Sequence, residues 1–129
     1  MEWALLTPVI LLIILLCIQF LMVYHANHIA LAAAQAGSRA AREAGPGAGW
    51  EGIGDEAARN TVAQLGPGVL DVTAVQGYGD GVYDRGFEVR GIAKTVIPGM
   101  TFEVVKRAVG PVECFRPDVG EAKVCEAAP

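Results

Sequence analysis

From Trp3 to Tyr24 the chain carries no charge, and Thr7 and Gln19 are its only polar side chains before Tyr24. A helix needs about 20 predominantly apolar residues to cross the hydrocarbon layer of a bilayer. The run reaches that length, so this stretch spans a membrane, is removed as a secretory signal, or is buried inside a soluble core. A signal peptide opens with a basic segment, has a shorter apolar core and ends at a small-residue cleavage site. Here the run opens on an acid, Glu2, and no such site follows it directly. A transmembrane helix is therefore expected, with residues 1–24 as its membrane part.

Helix-forming sequence does not end with the apolar run. Tyr24, His25, Asn27 and His28 form a polar collar of the kind found at a membrane–water interface. The stretch "IALAAAQAGSRAAREAG" follows, rich in Ala, Arg, Gln and Glu and free of Pro. It predicts that the helix continues outside the membrane over residues 25–44 and stops at Gly45-Pro46-Gly47. The rod would be about 60 Å long at 1.5 Å per residue. Pro8 is its one candidate kink, placed near the start where the missing N–H costs least. Two rows of small side chains run along the extension: Ala33, Gly37, Ala41, Gly45 and Ala26, Ala30, Ala34, Ser38. Small residues four apart let helix backbones approach closely. Two readings follow, packing of the helix on the chain's own head and packing between the helices of neighbouring subunits.

Beyond a Gly/Pro linker at residues 45–50, residues 51–129 are expected to form one small head. Roughly 80 residues support a single marginal core and no more. A short helix is predicted at about Asp55–Leu65, with Ala58, Val62 and Leu65 on one face and Asp55 and Glu56 at its dipole end. Three strands then follow: Val69–Gln76, Val82–Pro98 and Thr101–Glu113. "GYGDG" turns the chain between the first two, and a bulge is expected at Gly86 or Gly91 in the second. The fold class is α+β: a long N-terminal helix, a short second helix and a small antiparallel sheet.

Charge and side-chain inventory exclude several functions. The formal charge of −4 falls entirely beyond residue 44, where 12 acids face 8 bases. An acidic head does not suit nucleic acid. The head contains no histidine, and the chain's one serine, Ser38, lies on the rod, so no nucleophile has a base beside it. An enzyme is not expected, and nothing calls for a cofactor. His25 and His28 share a helix face, but two ligands without a third make no metal site. Asp80, Asp84 and Glu88 lack the spacing of a calcium loop and are read as solvated carboxylates. Cys17 lies mid-span. Cys114 and Cys125 pair as a disulfide closing the tail if the head is in an oxidising compartment, and are two free thiols otherwise.

Glu2 at the mouth of the span remains to be explained. Arg39 and Arg42 follow the span and no base precedes it, so the positive-inside rule alone places the head in the cytoplasm. A basic leader removed after insertion would reverse that assignment. An acid, then "ALLTPVILLIILLCIQF", then "AAAQAGSRAAREAG" resembles the TadE-like proteins of the tight-adherence pilus, within the type IV pilus superfamily. "GIAKTVIPGMTFEVVKRAVGPVECFRP" is similar to their last two strands, so the resemblance runs from Glu2 to about Arg116. It implies a pilin-like or pseudopilin structural subunit for adhesion or secretion, lodged in the bacterial cytoplasmic membrane with its head outside. It implies cleavage by a prepilin peptidase, partners among other pilin-like subunits and the pilus assembly machinery, and pairing of Glu2 with a neighbour's N-terminal amine. Either Met1 is then the mature first residue or a few residues precede it. A single-pass accessory protein with an extracellular binding head is the second reading.

Overall fold

The computed structural model describes residues 2–45, 47 and 49–112. Helix α1 runs from Glu2 to Glu43, 42 residues without a break, and passes through Pro8. Near the proline, the Thr7 hydroxyl donates to the Trp3 carbonyl at 2.9 Å. Ala44 closes the helix by bonding back to the Ala40 carbonyl, and Gly45 then leaves it at φ 71°.

Helix α2 spans Trp50–Leu65 and starts five residues before the expected Asp55. Gly52 and Gly54 read as breakers in the sequence, yet both are helical. Gly54 is needed there because α2 crosses α1 at that point. Gly49, at φ 114°, begins α2 without a side-chain cap, and Glu51 is the acid in its first turn. Asp55 pairs with Arg59 one turn on, at 2.9 Å, and does not serve the helix start. The buried face is Gly54, Ala58 and Val62, while Leu65, expected on that face, is exposed.

Strands β1 (Leu70–Tyr78), β2 (Asp84–Ala93) and β3 (Phe102–Pro111) form an antiparallel meander with β2 in the centre. The bulge lies in β1 and not in β2. Val72 pairs with Gly91 and Ala74 with Arg90, so Thr73 is the extra residue. β2 keeps its phase throughout: Phe87, Val89, Gly91 and Ala93 are all buried, and Ile92 points to the other face. The phase change falls on β1, where Val72 and then Val75 pack on the core. β2 also stops at Ala93, so residues 94–101 form a connecting loop where the sequence suggested more strand.

α1 lies across β2 and β3, and α2 fills the angle between α1 and β1. One face of the sheet is thus covered by helices. Phe87, Val89 and Val104 are its largest fully buried side chains. Burial of residues of this size contributes about 1.5–3 kcal/mol each.

Candidate assembly surface on the long helix

α1 divides into a bare part and a covered part. Trp3 to Leu15 are exposed on every side of the helix, Trp3 at 81%. A helix apolar all round is stable only in lipid or among other helices. Cover begins at Leu16 and continues along one stripe through Gln19, Val23, Ala26, Ala30, Ala33, Gly37 and Ala41. Cys17 falls between these and is exposed and unpaired.

The small-residue stripe faces the chain's own head. Ala26, Ala30, Ala33, Ala34 and Ala41 have no accessible surface, Ser38 is buried, and Ala26 to Ala34 join Ala58, Val62, Val89 and Val104 in one core cluster. Gly37 shows why the residues are small. A Cβ there would stand 2.9 Å from the Gly54 carbonyl oxygen and 3.1 Å from Phe87 Cγ. A Cβ on Gly54 would meet Phe87 Cε2 at 2.1 Å. The two glycines let α1 and α2 cross at backbone contact with the Phe87 ring beside them. Of the two readings of the stripe, packing on the own head is the one realised within this chain.

Three polar side chains make contacts that sequence reasoning did not foresee. Arg85 is buried, and its guanidinium donates to three carbonyls: Ala41 at 2.7 Å, Gly45 at 2.9 Å and Gly81 at 2.9 Å. Two of these belong to the C-terminal end of α1, where orphan carbonyls and the negative dipole end favour a cation. The group also lies 5.4 Å from the centre of the Trp50 ring. Ser38 completes the tie by donating to the Arg85 carbonyl at 3.1 Å. No sequence pattern marks Arg85, since two of its three partners are backbone atoms 44 and 40 residues earlier.

Gln19 did carry a signal, as a lone amide in the apolar run. It is only 3% exposed. Its Oε1 accepts from the Val96 amide at 2.7 Å and from the Ile97 amide at 3.4 Å, which fixes the side chain's orientation. Its Nε2 is buried without an acceptor among the described residues.

Glu88 is the third. Read as solvated, it is 4% exposed on the outer face of the sheet. Arg107 and Arg90 both donate to its carboxylate and cover it, and Arg107 also lies over the Tyr78 ring at 4.0 Å. The Arg107 hydrogen bond, and then that of Arg90, holds the Glu88 carboxyl below the ordinary carboxylate range. Asp80 is likewise a structural group. Its Oδ1 accepts from the amides of Val82, Tyr83 and Asp84 at 2.8–3.0 Å and closes the β1–β2 turn. Those amide bonds, Asp84's first and Tyr83's next, lower its pKa. Asp84 itself is exposed.

His25 and His28 are exposed, with the His28 ring edge-on to Tyr24 at 4.4 Å. Among the described residues no group of three metal-ligating side chains is present. Cys114 and Cys125 lie outside the described residues, as does everything from Glu113 on. Glu2 is the first residue of α1, at the far end of the bare stretch from the head.

The bare apolar helix with its head seated on one side of the remainder is the arrangement to compare with known proteins. The family model described as TadE-like protein matches residues 1–39. The match covers the bare part of α1 and nearly all of the covered part, and ends at Arg39, short of α2 and the sheet. No curated protein and no solved structure matches the chain. The family match points to a Tad pilus-related, pilin-like role. It agrees with the one helix, among the described residues, that is long and apolar enough to cross a membrane.

Proposed function

We propose that this chain is a pilin-like structural subunit of a bacterial Tad-type pilus or pseudopilus, serving adhesion or secretion-apparatus assembly. The observation that carries this reading is the TadE-like match falling on a helix whose first turns are apolar and bare on all sides. The bare stretch holds the subunit in the cytoplasmic membrane as a single pass, head outward. On assembly it exchanges lipid for the helices of neighbouring subunits. Lipid tails are as apolar as Leu, so that exchange is driven by close packing and matched polar groups and not by hydrophobic burial.

Glu2 supplies the matched polar group. A carboxylate drawn into an apolar layer is costly unless paired. Its partner in this reading is the N-terminal amine of the adjacent subunit, freed by a prepilin peptidase. Such a pair is worth most as a register device, because its desolvation cancels much of its attraction. The small-residue stripe at Ala26–Ala41 belongs to the fit between helix and head, so subunit contacts use the bare stretch and the uncovered side of α1.

Glu2→Ala tests the reading in cells. The variant head is expected to resist proteolysis as the parent does, while the subunit disappears from sheared surface filaments and accumulates in the membrane. Incorporation at the parental level would overturn it. A chain that is never found in filaments, even unaltered, is instead a single-pass accessory protein with a binding head.

A further inference from the structure

The loop from Lys94 to Thr101, "KTVIPGMT", connects β2 to β3 at the end of the head nearest the bare helix. Its position relative to the span is given by Gln19, whose Oε1 accepts from the Val96 amide at 2.7 Å. The loop backbone therefore sits at the level of residue 19, within the uncharged run that continues to Tyr24. A hydrocarbon layer of about 30 Å holds about 20 helical residues, so a layer begun at Trp3 ends near residue 22, roughly 5 Å beyond Gln19. The head does not stand clear of the membrane on a stalk. Its lowest loop overlaps the upper part of the span.

The loop's composition fits that position. Val96 and Met100 are 43% and 45% exposed although both are large and apolar, and Pro98 between them is exposed as well. Thr95 and Thr101 are the only polar side chains between Lys94 and Glu103, and the flanking base, Lys94, is exposed. An apolar tip beside a base suits insertion to roughly 5–10 Å at a headgroup boundary, the depth of interfacial segments. Amide groups at that depth need internal acceptors. Gln19 supplies one to Val96 and Ile97, which gives a physical reason for an amide in the middle of an apolar run.

We infer that the β2–β3 loop is a second membrane contact, a wedge that dips into the leaflet on the head side and fixes the head against the bilayer before assembly. This rests on the proposed reading of α1 as a membrane span. On extraction into a filament the same apolar tip leaves lipid together with the helix.

Tryptophan quenching by brominated phosphatidylcholine tests both statements in the full chain, reconstituted at low density in vesicles. Trp3 reports the span, by the difference between the native chain and Trp3→Phe. Trp50 is an internal reference, because it packs at the level of Ala41, on the order of 30 Å up the helix. Val96→Trp in the Trp3→Phe background reports the loop, and Met100→Trp repeats the measurement across the turn. Both sites are exposed, so neither exchange disturbs the core. The introduced indole is expected to be quenched in brominated lipid, as a residue inserted to the headgroup boundary is, with Trp50 unchanged. Quenching of Trp3 without quenching of either introduced indole would overturn the wedge and leave the span standing. A result in which Trp3 also stays unquenched would overturn the span, and the wedge with it.

Discussion

Gly52 and Gly54 stand two residues apart in α2, and the same substitution is expected to act on them with opposite sign. A Cβ on Gly52 would meet nothing within 4 Å. Gly52→Ala should therefore stabilise by about 0.5–1 kcal/mol, the difference in helix propensity. A Cβ on Gly54 would meet Phe87 Cε2 at 2.1 Å, Cζ at 2.3 Å and the Gly37 carbonyl oxygen at 2.9 Å. The ring has no room to withdraw. Phe87 is 1% exposed, Trp50 packs edge-on against it with centroids 6.0 Å apart, and Gly37 lies close to its Cγ. Overpacking of this kind costs about 1–3 kcal/mol before the propensity gain is returned. A 2.1 Å approach to a buried ring falls in the upper part of that range, about 2–3 kcal/mol. Net destabilisation of Gly54→Ala is then about 1–2 kcal/mol, and the two variants, which share the propensity gain, should differ by about 2–3 kcal/mol. For a head of this size that is a gap on the order of 10 °C in Tm. The assay is thermal unfolding of the full chain in detergent, followed by near-ultraviolet circular dichroism. Phe87→Leu adds a check, since it should partly relieve Gly54→Ala and the pair should be non-additive. Gly54→Ala as stable as the parent, or additive with Phe87→Leu, would refute the crossing described above.

The other predictions concern the polar ties. Arg85→Ala strips the donors from the Ala41, Gly45 and Gly81 carbonyls and should cost on the order of 3 kcal/mol. Arg85→Lys should not restore it, because an ammonium cannot reproduce the planar fork; full rescue in urea unfolding would contradict this account. Gln19→Leu leaves the Val96 and Ile97 amides without their acceptor. Hydrogen exchange at those two amides should accelerate while exchange in β2 is unaffected, and unchanged protection would count against the tie. Glu88 and Asp80 both have depressed carboxyl pKa values in the folded state. Their contribution is thus complete above the ordinary carboxylate range near pH 4 and is lost as pH falls from there through the folded values. Glu88→Gln should flatten the acid limb of the stability profile, and a parent chain that gains stability on acidification would reverse the sign argued here.

Some of this was legible without coordinates because it depends on neighbours in sequence. Helix α1 could be read from composition and from the absence of Pro between Pro8 and Gly45, and its end from Gly45. Three strands were visible as β-branched runs between turns, within two residues of their ends except for the end of β2, which was placed five residues too far. The start of α2 was missed because Gly54 is unfavourable by propensity, and its value lies in a contact with Gly37 and Phe87 that local sequence does not contain. The bulge was assigned to β2, at Gly86 or Gly91, because Phe87 and Val89 followed by Ile92 and Val96 read as a change of phase. Gly91 instead lets β1 pass closely, a Cβ there standing 2.7 Å from the Asp71 carbonyl oxygen, and the extra residue falls on the partner strand.

The candidate surface shows the same division. By itself the sequence determined that residues 3–24 seek an apolar surrounding, that the helix runs on, and that its extension carries small residues in rows. Those properties reside in single side chains and their spacing. What the rows pack against is a property of pairs of surfaces distant in sequence, and only the tertiary structure decided it. The head occupies the small-residue stripe, reaches down to Gln19, and leaves Trp3–Leu15 bare. Which part of an apolar helix remains free for lipid or another subunit depends on where the rest of the chain folds back, and local sequence has no term for that.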